Sequence, residues 1–141
     1  MAVYHGDVTI AFDDAGVGDT YRCFRDKTIE RLGLNGKPIV PNWSGFRLFL
    51  PAAELRARNT VHVVYENEYD HGGDGFHQFI DPEDQQEYLY TNFEPYEAHR
   101  LFPCFDQPDI KADYTVSVTA PESWTVIHNA AEASATSAAP I

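Results

Sequence analysis

Two segments of this chain alternate apolar and polar residues with a period of two, and only an extended strand converts that period into one buried and one wet face. The first, Thr60–Tyr69, reads TVHVVYENEY. The second, Ala112–Ala120, reads ADYTVSVTA and alternates in the same way. Both segments therefore predict strands of an antiparallel sheet with one solvent-exposed face.

Shorter apolar runs between turn residues predict further strands. Asn35-Gly36 suits a tight hairpin, because both residue types tolerate a positive φ. Only Pro51–Arg58 and Pro95–Phe102 have the composition of a helix, and each is short. Many short strands separated by turns predict an all-β, sandwich-like or barrel-like domain. The shorter candidate strands are Val8–Phe12, Thr28–Gly33, Gly45–Leu50, Phe76–Ile80, Glu87–Thr91 and Trp124–His128.

Composition excludes several classes of partner. The chain has 141 residues and a formal net charge of −12, which argues against binding to nucleic acid or to anionic lipid. No apolar run approaches the roughly 20 residues that span a bilayer, and the N-terminus lacks a signal-peptide pattern. The two cysteines, Cys23 and Cys104, lack zinc-ligand spacing, and a buried thiol is favoured over a long-range disulfide. We therefore expect a cytoplasmic protein.

The residues alone supply no complete catalytic or metal centre. His71 and His77 flank a glycine-rich loop beside Asp70 and Asp74 and could in principle hold a metal, but exposed loop residues are the favoured interpretation. The acidic stretch between residues 70 and 87 does not match the spacing of a calcium loop. No serine lies in a nucleophile-elbow context. We predict no catalytic residue and no metal ligand in this chain.

One segment departs from strand periodicity. Thr91–Lys111 reads TNFEPYEAHRLFPCFDQPDIK and is dense in aromatic residues, prolines and charges. An irregular segment of this composition is typical of a loop that packing holds in place to present a functional group. Within it, Glu94-Pro95 is a candidate cis peptide bond, with a trans turn as the equal alternative.

This segment resembles a stretch in the N-terminal domains of zinc aminopeptidases of the aminopeptidase N family, which are gluzincin metallopeptidases. Those domains carry a Thr-Gln-x-Glu or Thr-Gln-x-Gln element, then Ala-Arg-x-x-Phe-Pro-Cys-Phe-Asp-Glu-Pro and a Lys-Ala pair. The resemblance extends over roughly residues 6–129. The matching residues here are Thr91, Asn92, Glu94, Ala98, Arg100, Phe102, Pro103, Cys104, Phe105, Asp106, Pro108, Lys111 and Ala112.

The resemblance implies a fold and a division of labour. The fold is a saddle-shaped, antiparallel, β-sandwich-like N-terminal domain, which we expect to be incomplete at both ends of residues 1–129, with 130–141 as linker or frayed tail. A separate catalytic domain, our expected partner, holds the zinc and cleaves the peptide. We expect the parent protein to be a zinc aminopeptidase, and this chain alone to bind no zinc and hydrolyse nothing.

The resemblance also assigns roles to site residues. Glu94 matches the residue that contacts the free α-amino group of the peptide substrate, and Asn92 falls where the family usually has Gln, near the first side-chain pocket. The remaining motif residues are expected to be structural: Arg100 and Asp106 through hydrogen bonds or an ion pair, and Phe102, Pro103, Cys104, Phe105 and Pro108 through packing.

A second hypothesis gives the chain no catalytic parent. A stand-alone β-sandwich could bind protein or glycan through exposed aromatic residues, for which Trp43, Tyr88 and Tyr90 are the candidates. The aminopeptidase interpretation is favoured, because it accounts for the whole of the Thr91–Ala112 pattern.

Overall fold

The computed structural model describes residues 2–13, 20–24, 28–44 and 46–136, and for residues 20–23, 43 and 44 it describes the backbone alone. The chain divides into two units, residues 1–110 and residues 111–141. The predicted boundary between 1–129 and 130–141 stays a prediction. Trp43 and the thiol of Cys23 lie outside the described side chains.

The first unit is all-β and antiparallel, which confirms the predicted fold class. The strands in its described residues are β1 Val3–Asp13, β2 Thr20–Cys23, β3 Thr28–Leu34, β4 Lys37–Pro38, β5 Trp43–Ser44, β6 Arg47–Leu50, β7 Arg58–Glu68, β8 Gly75–Ile80 and β9 Glu87–Asn92. They form sheets in the orders β1-β7-β3-β4, β2-β6-β5 and β8-β9. The 3-10 helices Ala52–Glu54 and Ala98–Arg100 lie where the sequence predicts longer helices.

Strand β7 is the centre of the first sheet and follows the predicted alternation. It pairs with β1 along its whole length and with β3 on its other side. Asn59, Val61, Val63, Tyr65 and Asn67 are buried, and the residues between them are not. Val61, Val63 and Tyr65 pack with Phe24 and with leucines of β3 and β6 into one hydrophobic core.

Short connections join β3 to β4 and β8 to β9 in antiparallel hairpins. Asn35 and Gly36 connect β3 to β4 with φ values of 53° and 82°, as their sequence predicts. The β8–β9 hairpin pairs Gly75 with Asn92 at its base and Ile80 with Glu87 at its tip. A two-stranded ribbon is marginal by itself in water, so the contacts at the base matter for holding it.

The second unit corrects a prediction. Residues 111–136, the described part of this unit, contain no strand, although Ala112–Ala120 and Trp124–His128 were predicted to be strands. Val116 and Val118 are exposed there. Alternation specifies which side chains share a face, but a strand also requires a neighbour that completes its hydrogen bonds, and the described residues supply none for this segment.

Candidate functional site

The irregular segment begins where strand β9 ends. Residues 94–97 form a turn that Glu97 closes by donating its backbone N–H to the Phe93 carbonyl at 3.0 Å. The peptide bond between Glu94 and Pro95 is cis, which settles the equal alternatives in favour of the cis form. The 3-10 helix Ala98–Arg100 follows and carries the chain back towards the first sheet.

Three side chains of the first sheet hold this segment by its backbone carbonyls. Tyr65 donates its hydroxyl to the Leu101 carbonyl at 2.7 Å, and Tyr4 lies 3.0 Å from the Arg100 carbonyl. Asn67 donates its amide to the Arg100 carbonyl at 3.0 Å. The chain forms neither a long helix nor a strand at this point. The Arg100 and Leu101 carbonyls therefore take these side-chain hydrogen bonds in place of regular backbone ones.

Arg100 joins the segment to the loop before β8. Its Nη1 donates to Asp70 Oδ1 at 3.0 Å, and its Nε donates to the Glu97 carboxylate. Burial of the guanidinium lowers the pKa of Arg100, but the hydrogen bonds and charges of Asp70 and Glu97 outweigh this effect and leave the pKa raised. Arg100 therefore stays charged and bridges two carboxylates.

Asp70 is the buried partner in this arrangement, with a side chain only 5% exposed. Its Oδ2 also accepts the backbone N–H of Phe76 at 3.1 Å. Gly75 makes room for this carboxylate: a Cβ at Gly75 would overlap Asp70 Oδ2 and lie 2.7 Å from Arg100 Cδ. Gly75 also has a φ of 71°, a conformation that other residues rarely adopt.

A second buried pair closes the other end of the segment. His99 Nδ1 lies 2.7 Å from Asp106 Oδ2, and the side chains are 4% and 10% exposed. The same carboxylate oxygen accepts the His99 backbone N–H at 3.0 Å. Arg100 and Asp106 thus fix the segment, each with a different partner.

The remaining motif residues pack or lie on the surface. Pro103 is fully buried, and Cys104 is buried. Phe102 meets Phe93 edge-on at 5.9 Å, and Phe105 meets Phe12 edge-on at 5.5 Å. Pro108 is exposed.

Glu94 and Asn92 stand apart from this packed set. Both are exposed. Asn92 donates its side-chain amide to Asp74 Oδ1 at 3.2 Å and to the Gly73 carbonyl at 3.3 Å, which ties the end of β9 to the glycine-rich loop. The structure therefore places the Glu94 carboxylate on the surface, immediately before a segment that hydrogen bonds to the first sheet and to Asp70 hold in place.

Sequence reasoning missed the anchoring partners of the segment. Tyr4, Tyr65, Asn67 and His99 were not selected, and Asp70 was considered only as a metal ligand. Glu97 lies three residues before Arg100, a spacing that places the two side chains near each other on a helical turn. Tyr4, Tyr65 and Asn67 carry no local signal, because they come from strands far away in the sequence, and Asp70 comes from a loop 30 residues before Arg100.

The described residues contain no group of three or more His, Cys, Asp or Glu side chains that could hold a metal ion. His71 and His77 do lie near each other, with ring centroids 6.5 Å apart. However, His77 Nδ1 accepts the Gly73 backbone N–H at 2.9 Å and so stabilises the glycine-rich loop. In the described part of the chain, no helix is long and apolar enough to cross a membrane.

Known proteins share this segment and the strands that lead into it. The chain is 40% identical over 129 residues to aminopeptidase N of Streptomyces lividans, which covers 89% of this chain and 15% of that protein. It is 30% identical over 110 residues to human glutamyl aminopeptidase (Homo sapiens), covering 77% of this chain and 10% of that protein. The chain thus spans a small part of these relatives. The model of the peptidase M1 N-terminal domain matches residues 44–139, and this chain belongs to that family.

Proposed function

We propose that this chain is the N-terminal domain of a zinc-dependent aminopeptidase that removes single N-terminal residues from peptides. Its own contribution is recognition of the substrate α-amino group through Glu94. The observation that carries the proposal is the contrast within one segment: Glu94 is exposed, whereas the residues that follow it are anchored by buried groups. A carboxylate held in this way can meet a ligand without reorganising the chain behind it.

The chemistry of Glu94 suits an exopeptidase. A carboxylate and an ammonium form a charge-assisted hydrogen bond that strengthens as water is excluded around it. An internal peptide bond offers no such cation, so binding it would leave the carboxylate without a partner. A single carboxylate can thereby select the first residue of a peptide as the one removed.

Zinc is implied by the family, but the described residues do not fit it, because none of their His, Cys, Asp and Glu side chains form a suitable group. We therefore assign metal binding and bond cleavage to a catalytic domain elsewhere in the parent protein, and derive no step of the reaction through the metal. In this proposal the chain by itself hydrolyses nothing. Asn92 has a supporting role, since its amide orients the end of β9 that leads to Glu94.

The test uses the complete protein encoded by the native gene. Replacing Glu94 by Gln removes the charge and keeps the shape. Because hydrogen bonds to charged groups contribute about 1.5–3 kcal/mol, we expect kcat/KM for a peptide with a free N-terminus to fall roughly 10-fold to 100-fold. Glu122→Gln is the matched control, since Glu122 is also an exposed carboxylate and lies in the second unit.

Three outcomes bear on the proposal. A loss with Glu94→Gln alone, at an unchanged unfolding midpoint, supports the role of Glu94. Equal kcat/KM for Glu94→Gln and the unmodified protein would overturn that role and leave the aminopeptidase activity standing. An unmodified protein that releases no N-terminal residue from any peptide would overturn the activity itself.

A further inference from the structure

The two faces of the β8–β9 hairpin have different surroundings. Residues opposite each other in an antiparallel pair share a face, so His77 with Tyr90 and Phe79 with Tyr88 lie on one side. The other side begins with Phe76, whose ring packs on Tyr4 at 5.1 Å. We call the set His77, Phe79, Tyr88 and Tyr90 the aromatic strip.

The aromatic strip is a ladder of rings open to solvent. The centroids of His77 and Tyr90 are 4.8 Å apart, and those of Phe79 and Tyr88 are 6.3 Å apart. Phe79, Tyr88 and Tyr90 are 45%, 51% and 47% exposed. Three exposed rings and the half-buried His77 ring on one face offer π surface to solvent, which is a typical recognition surface.

The charged residues of the hairpin itself have one sign, and Arg100 at its base is paired with Asp70 and Glu97. Residues 59–99 contain no Lys or Arg. Asp81 and Asp84 sit in the turn at the tip, where each accepts a backbone N–H, at 2.8 Å and 2.9 Å respectively. At the base, Asp74 is held by the Asn92 amide. His77 Nδ1 accepts the Gly73 N–H at 2.9 Å, which ties the strip to the loop that carries Asp74.

Aromatic faces bordered by carboxylates complement cations. The face of a Tyr or Phe ring attracts Lys and Arg side chains, and carboxylates of one sign raise the local concentration of cations. On the same face of β9 the strip is followed by Asn92, where the strand ends, and Glu94 comes two residues later in the chain. From Tyr88 to Asn92 the strand advances roughly 14 Å, which is the span of about four extended residues.

We propose that the aromatic strip binds Lys and Arg side chains of the peptide whose N-terminus lies at Glu94. The parent enzyme then favours substrates with a basic residue several positions after the one removed, at about the fourth to sixth position. This inference rests on the proposed function and adds a substrate class to it. A neutral glycan could also stack on the rings, but it carries no positive charge for the carboxylates to attract.

The test compares peptides that share their first three residues and differ at positions four to six, with Arg, Glu or Ala there. In the complete protein we expect kcat/KM to be about 3-fold to 10-fold higher for the Arg peptide than for the Ala peptide, and lower still for the Glu peptide. The preference should shrink as NaCl is added, because salt screens exposed charges.

Two variants and one control locate the effect. Phe79→Ala with Tyr88→Ala removes half of the strip, and Glu83→Gln with Asp84→Asn reduces the charge at the tip. Both should bring the Arg and Ala peptides to within about 2-fold of each other. Ile80→Ala is the matched control, since Ile80 is 52% exposed on the opposite face of the same hairpin and should keep the full preference.

A single-residue chromogenic amide separates this proposal from the proposed function. It has no residues to reach the strip, so its hydrolysis should be equal in the unmodified protein and in the strip variants. No preference among the peptides, with normal hydrolysis of the amide, would overturn the strip proposal alone. Equal loss on the amide and on all peptides would show a purely structural role of the strip and overturn the strip proposal too.

Binding of neutral oligosaccharide is the alternative outcome. If the protein bound one without showing the peptide preference, and lost that binding with Phe79→Ala and Tyr88→Ala, the strip would be a glycan-binding surface. No hydrolysis of any substrate would instead overturn the proposed function.

Discussion

The two halves of the segment after strand β9 are built differently. Residues 98–106 are docked: their charged groups meet Asp70, Glu97 and His99, and two carbonyls accept hydrogen bonds from the first sheet. Residues 94–96 project: Glu94, Pro95 and Tyr96 are exposed. Within a few residues the segment thus changes from a surface feature into part of the interior.

This difference separates two kinds of substitution. A change in the docked half leaves a buried group without its partner, and the cost appears in the free energy of unfolding. A change in the projecting half removes a group that meets solvent, so its cost appears only when a ligand is present. The predictions below test whether this separation holds.

The largest effect is expected from Arg100→Met. Removing the guanidinium leaves the Asp70 carboxylate, 5% exposed, without its cation, and breaking a buried pair in this way costs about 3 kcal/mol or more. Equilibrium urea unfolding, followed by tryptophan fluorescence, measures the loss.

Arg58→Met is the control for that prediction. Arg58 meets Asp13 at 3.3 Å, but both side chains are highly exposed, so the change should cost less than about 1 kcal/mol. Equal midpoints for the two variants would show that the Asp70–Arg100 pair does not anchor the segment.

A smaller effect is expected from Gly75→Ala, with Gly73→Ala as its matched control. Both glycines have a positive φ, 71° and 98°, so each alanine bears a similar backbone cost of about 1 kcal/mol. Only the alanine at 75 would also strike Asp70 and Arg100, whereas no atom lies within 4 Å of a Cβ at 73. We expect Gly75→Ala to lower the unfolding midpoint at least twice as far. Equal shifts would mean that Asp70 and Arg100 move aside for the new methyl group without lowering the free energy of unfolding.

Local patterns predicted the parts of the fold that local physics determines. The alternation in Thr60–Tyr69 gave β7 and its buried face, and Asn35-Gly36 gave its hairpin, because side-chain period and φ preference act over a few residues. The cis bond at Glu94-Pro95 was predicted as one of two alternatives, because the isomer preference of a peptide bond before proline is also a local property.

The docking of the segment could not be predicted in this way. Tyr4 and Arg100 are 96 positions apart, and Asp70 and Arg100 are 30 apart, so no local period relates them. Ala112–Ala120 shows the opposite failure, since its alternation is as regular as that of β7, yet the described residues give it no strand to pair with. Glu94 was selected through family resemblance rather than from composition, and its role in recognition stays a prediction.

The smallest effect concerns Tyr69, which lies at the packed face of the hairpin with its ring 5.2 Å from Phe76. Burial, and then the negative charge of Glu87, raise the pKa of Tyr69 above its usual value of 10.0. Above about pH 10 the unfolded chain therefore loses this proton before the folded chain does, and the free energy of unfolding falls as pH rises. Tyr69→Phe removes that contribution, so its stability should fall less steeply above about pH 10.

Tyr88→Phe provides the comparison on the open face of the same hairpin, where the ring is half exposed. The other tyrosines are common to both variants, so their ionisation cancels between the two unfolding curves. We expect the alkaline loss of stability to be less steep for Tyr69→Phe than for Tyr88→Phe. If the free energy of unfolding of both variants changed equally with alkaline pH, the packed face of the hairpin would be as accessible to water as the open face. The contrast between docked and projecting parts would then apply to the segment after β9 and not to the hairpin.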